Sequence, residues 1–83
     1  MNNPLDKVIE IIGGQRALAN AIGNGVKQGH VWNWLNITTE GIPARHVIPA
    51  CSAINWQVTP HELRPDLYPH PDDGLPEHMR HAA

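Results

Sequence analysis

Apolar residues recur at helical spacing along the first third of the chain. Leu5, Val8, Ile9 and Ile12 fall at i, i+3, i+4 and i+7, which predicts a first amphipathic helix. Asn3 and Pro4 suit its cap and first position, Asp6 puts negative charge in its first turn, and Gly13-Gly14 end it. Leu18 and Ile22 lie one turn apart in a second helix over residues 15–22, with the small Ala19 where another helix would cross closely. Val26, Val31, Trp34 and Leu35 mark a third over residues 26–35. Gly23-Asn24-Gly25 between them predicts a tight turn, because Gly and Asn tolerate positive φ. Two helices crossing steeply over such a turn make a helix-turn-helix pattern, which in DNA-binding proteins sets the second helix in the major groove. The plainer alternative is an αα-hairpin in a small helical domain.

The pattern weakens further on. NITTEG, residues 36–41, reads as a loop. Pro43 can open a fourth helix, and Val47, Cys51 and Ile54 keep a stripe, but Pro49 would remove an interior hydrogen bond and predicts a kink or break. Residues 56–58 read as extended. Thr59-Pro60-His61-Glu62 is a capping box opening a short fifth helix that stops before Pro65, with Val58 and Leu63 placed as a hydrophobic staple. After Pro69, HPDDGLPEHMRHAA has almost no apolar periodicity and reads as a flexible tail. The expected architecture is an all-α, compact five-helix domain over residues 1–69 with a tail over 70–83.

Composition narrows the function. At 83 residues the chain is one small domain. A single cysteine excludes an internal disulfide and fits a reducing cytosol, and the apolar neighbours of Cys51 suit a buried small hydrophobe. No apolar run approaches the roughly 20 residues of a membrane span, and no signal pattern opens the chain, so a cytoplasmic place, at the bacterial nucleoid, is expected. The net charge of −2 argues against a nucleic-acid partner until it is mapped. Residues 14–35 carry Arg16 and Lys27 with no acid, whereas residues 36–83 sum to −3. The acid-free basic stretch is therefore the helix-turn-helix itself.

With Val31 and Trp34 inward, Lys27, Gln28, His30 and Asn33 point outward from the third helix, and Trp32 lies near the boundary. Gln can pair bidentately with adenine, Lys can donate to guanine, and Asn suits either polar task. Gly29 would let the backbone approach a groove closely, although Gly weakens a helix interior. Trp32 would cover a thymine methyl or sugar, or else be a partly buried core residue. Gln15, at the start of the second helix, suits a phosphate with Arg16 helping, or else only caps its own helix. Of the six histidines, only His78 and His81 have chelating spacing, without Cys or a well-placed acid, so no metal or other cofactor is expected. No Gly-rich phosphate loop or activated nucleophile is present in the sequence, and no enzymatic activity is expected.

GGQRALANAIGNGVKQGHVWNWLN, then IPARHVIPACSAIN, then VTPHELRPDLYP together resemble the Cro-type and YdaS-like family of prophage helix-turn-helix regulators over roughly residues 5–69. The resemblance implies a repressor-like, all-helical domain acting in lysogeny control, often dimeric on double-stranded operator DNA. For YdaS-like members it also implies an antitoxin role with a partner protein encoded nearby. Matched to the motif, Lys27, Gln28, Gly29, Trp32 and Asn33 would recognise bases and Gln15 a phosphate. The turn is longer than the family's shorter form, which bears on the tilt of the third helix and on which of these side chains reaches a base. The apolar residues of 56–67 are the expected pairing surface.

Overall fold

The structure, a computed structural model, describes residues 3–38 and 41–80. Among these are five α-helices, no strand, and a closing 3-10 turn. Helix α1, Pro4–Ile12, starts where Asn3 Oδ1 accepts the Leu5 amide at 2.9 Å and ends at Gly13. Helix α2 is Gln15–Ile22 and buries Leu18, Ala19 and Ile22. Helix α3, Gln28–Asn36, buries Val31 and Trp34. Helix α4 is Ala44–Ala53 and helix α5 Pro60–Leu63. The most extensive contacts are those of α2 with α3 and α4, so α2 is the central strut. Ala19, 2% exposed, lets its neighbours approach as the sequence predicts.

The turn before α3 is longer than expected. Gly23, Asn24 and Gly25 have φ of 71°, 53° and 78°, as their residue types predict. Three residues of positive φ turn the chain, which must then re-extend before a helix can start. Lys27 is accordingly extended (φ −121°, ψ 164°), and α3 begins at Gln28 rather than Val26. Val26 still packs on the core, but from the loop.

Three other expectations are corrected. Of the kink or break expected at Pro49, the break does not occur: helix α4 is continuous through it, with His46, Val47, Ala50 and Cys51 buried on both sides. Residues 56–58 are not extended: Asn55 and Trp56 both take positive φ (55° and 63°), and the Trp56 amide donates to Cys51 O at 2.8 Å. That turn tucks Trp56 against the core and buries Val58 completely, so the apolar excess read as a pairing surface is largely absorbed inside, leaving Leu67 exposed. The capping box is as predicted: Thr59 Oγ1 accepts the Glu62 amide at 3.2 Å, and Glu62 Oε1 accepts the Thr59 amide at 3.4 Å.

Residues 70–80 are docked rather than tail-like. Leu75 is buried, the His70 amide donates to Asp73 Oδ2 at 3.0 Å, and Arg80 Nε donates to Leu75 O at 2.9 Å. Gly74 passes so close to the domain that a Cβ there would lie 2.9 Å from Pro60 Cγ and 3.0 Å from Ile48 Cδ1. One leucine and one glycine are too little periodicity to see in sequence. Residues 81–83, the end of the expected tail, and Thr39-Glu40 of the expected loop lie outside the described residues.

Candidate nucleic-acid interface

Because Val31 and Trp34 are drawn into the core, the opposite face of α3 is left to solvent. Lys27, Gln28, Gly29, His30, Trp32 and Asn33 are all exposed and line one shallow depression. Trp32, expected near the boundary, is 48% exposed and belongs to this face. Arg16 meets Lys27, Gln28 and Gly29 along an adjoining groove between α2 and α3. Seven of the eight sequence-predicted residues thus form one continuous surface. Gln15 lines neither part. Its side-chain oxygen is buried without a hydrogen-bond partner and α2 has no side-chain cap, so Gln15 does not cap its own helix.

Two residues of this face carry more than the sequence suggests. Gly29 is helical with φ in the ordinary range, and an added Cβ would find no atom within 4 Å. Nothing inside the protein requires a glycine there, although Gly disfavours a helix by about 1 kcal/mol relative to Ala. His30 is not simply an outward donor. Its Nδ1 accepts the Lys27 amide at 3.0 Å, closing the first turn of α3. A lysine side chain has no acceptor, so the reciprocal half of a capping box cannot form, and the His30 amide bonds Lys27 O instead at 3.0 Å.

Sequence reasoning missed the flank that α4 supplies. Arg45 and His46 share a cleft of about 350 Å³ with Asn24, Val26, His30 and Trp34, where the turn, α3 and the start of α4 meet. Arg45 is exposed and adds a third cation beside α3. His46 is 6% exposed and tilted against the Trp34 ring, centroids 5.4 Å apart. Its Nε2 accepts from Arg45 Nε at 3.3 Å, so the ring proton resides on Nδ1, which is buried without a partner. Burial above all, then the charges of Arg45 and His30, holds the His46 pKa below the ordinary histidine value. Pro43 ahead of ARH was the available signal, a helix start carrying a cation and an aromatic ring.

Behind the interface Arg64 locks the scaffold. Its Nη1 donates to Ile42 O at 2.8 Å, and its Nε and Nη2 fork onto Asp66 at 2.9 and 2.7 Å. The RPD of the ELRPDLYP block thus ties the segment after α5 to the entry of α4. The same guanidinium, through its hydrogen bonds, lowers the Asp66 pKa. Cys51 is fully buried, its thiol pushed up to about 12 by burial and then by Glu62, which fits the small-hydrophobe reading. Among the described residues no cluster of three or more His, Cys, Asp or Glu could hold a metal, and His81 lies outside them. No described helix is long and apolar enough to cross a membrane.

The chain finds no match among curated proteins or solved structures. A family model described as bacterial toxin YdaS matches residues 5–72, a span that includes all five helices apart from Pro4 and every residue of the α3 face. The chain belongs to the bacterial toxin YdaS family.

Proposed function

We propose that this protein is a sequence-specific, non-enzymatic DNA-binding regulator of prophage type that reads the major groove with α3. The observation that carries this reading is the exposed surface of Lys27, Gln28, Gly29, Trp32 and Asn33 at the start of a helix presented by a tight turn, with Arg16 and Arg45 beside it. Gln28 and Asn33 supply paired donor and acceptor groups for base edges, Trp32 an apolar plane for a thymine methyl or sugar, and the cations a hold on phosphate. The room beside Gly29 is supporting evidence, because a helix-weakening residue with no internal purpose suits close approach by an outside surface. One recognition helix spans few base pairs, so binding as a dimer to half-sites about 34 Å apart completes the proposal. The test is a footprint on DNA flanking the protein's own gene, followed by titration at rising salt. A protected site whose affinity falls steeply with salt supports the reading, and salt-insensitive or absent binding refutes it.

A second reading is a toxin-class or antitoxin-class module that acts mainly through a protein encoded nearby. The family description names a toxin, and Ile37 and Leu67 are apolar and well exposed (66% and 42%) outside the polar face. Under that reading Gln28→Ala leaves activity intact, whereas charge reversal at Ile37 or Leu67 abolishes it.

A further inference from the structure

We infer that His30 is the positioning residue of the recognition helix, holding the start of α3 through its neutral Nε2–H tautomer and releasing it on protonation. This rests on the DNA-binding reading above.

A helix offers four unsatisfied N–H groups at its first turn, and an Asn, Asp, Ser or Thr cap normally answers one of them. The capping position before helix α3 is held by Lys27, which has no acceptor to offer. The ring of His30 reaches back instead, its Nδ1 accepting the Lys27 amide at 3.0 Å. An accepting Nδ1 must be unprotonated, so in the neutral ring the proton sits on Nε2. The bond closes on the extended Lys27, two residues beyond the positive-φ run of Gly23, Asn24 and Gly25. It therefore fixes how Lys27 and Gln28 enter the exposed face.

A second ring proton takes the Nδ1 lone pair and removes the acceptor. It also places a positive charge in the first turn of a helix, the end where the macrodipole disfavours cations. The other charged and titratable groups facing His30 across the cleft, Arg45 and His46 of α4, together with Lys27 itself, add only like charge. Histidine is the side chain that changes charge between pH 5 and 8. The consequence has a distinctive sign. More positive charge alone strengthens binding to phosphate as pH falls, whereas release of the His30 cap weakens it.

The experiment uses the full chain, free and with the footprinted DNA. In the free protein, nitrogen NMR reports the His30 tautomer and hydrogen exchange the Lys27 amide. We expect the Nε2–H form, exchange at Lys27 about fivefold faster in His30→Ala, and protection restored in His30→Gln, which accepts as the ordinary residue of a capping box does. On DNA, the wild type should lose about fivefold in affinity relative to His30→Gln between pH 7.5 and 5.5, the scale of one lost cap. Because the His30 charge also lowers the His46 pKa, the comparison is repeated in a His46→Gln background, where the same relative loss is expected. An Nδ1–H tautomer, or Lys27 exchange indifferent to His30→Ala, overturns the cap. A protected cap with identical pH profiles overturns its role in binding. Failure of the wild type to bind DNA overturns the reading beneath, while the Lys27 exchange still decides the cap.

Discussion

Replacing Gly29 with alanine separates what the protein needs from what its partner needs. In the free chain the substitution is unopposed, because the backbone is helical and no atom lies within 4 Å of the new Cβ. Alanine is the better helix former by about 0.8–1.0 kcal/mol, and in a domain of this size about 1 kcal/mol raises Tm by roughly 4–8 °C. Against a groove the same methyl meets a wall. Overfilling a close-packed contact costs about 1–3 kcal/mol, so affinity for the footprinted site should fall by roughly 5- to 150-fold. Gly29→Val should bind more weakly still. Thermal unfolding by circular dichroism and fluorescence anisotropy at one fixed salt concentration measure the two effects on one preparation. A stabilised variant that binds DNA as well as the parent refutes close approach at Gly29, and a destabilised one refutes the open space around it.

Three further outcomes follow from the scaffold. Arg64→Ala should cost about 2–3 kcal/mol in urea unfolding, because it strands the Ile42 carbonyl and breaks the fork with Asp66; Arg64→Lys should recover little, since an ammonium lacks the fork. The depressed pKa of His46 means that the unfolded chain takes up a proton there first. Stability should therefore be full above the ordinary value of 6.5 and decline as pH falls below it, and His46→Gln should flatten that decline in urea titrations at pH 7.5 and 5.5. Ending the chain at His70 should lower stability by about 1–2 kcal/mol through exposure of the Leu75 site, while affinity for DNA, corrected for the folded fraction, stays unchanged; an unchanged melting curve would refute the docking of residues 70–80.

What the sequence made legible follows from how local its causes are. Helices α1, α2 and α5 are bounded by caps and glycines within a turn of their ends, and all three are found where the residues place them. The outward set on α3 is legible for the same reason, since Val31 and Trp34 alone orient the helix. The start of α3 is not, because Val26 is apolar for the core whether it sits in a loop or a helix. Arg64 reaching 22 residues back to Ile42, and the Gly74-Leu75 segment docked against Ile48 and Pro60, depend on partners distant in sequence, while Trp56 takes positive φ in a turn bonded back to Cys51. Arg45 joins the α3 face only through the packing of α4 beside the turn, which no periodicity along the chain encodes.

The most direct test of base reading by α3 is Gln28→Ala measured on the footprinted site, on each of its single-base variants and on random DNA. The side chain is exposed at the first residue of α3 in the depression shared with Lys27 and Asn33, so its loss should remove one base contact and leave the fold intact. Affinity for the preferred site should fall by about 1–3 kcal/mol, discrimination should relax at one base position, and affinity for random DNA should hold. Equal losses on preferred and random DNA, or no loss on either, would contradict sequence reading by this helix.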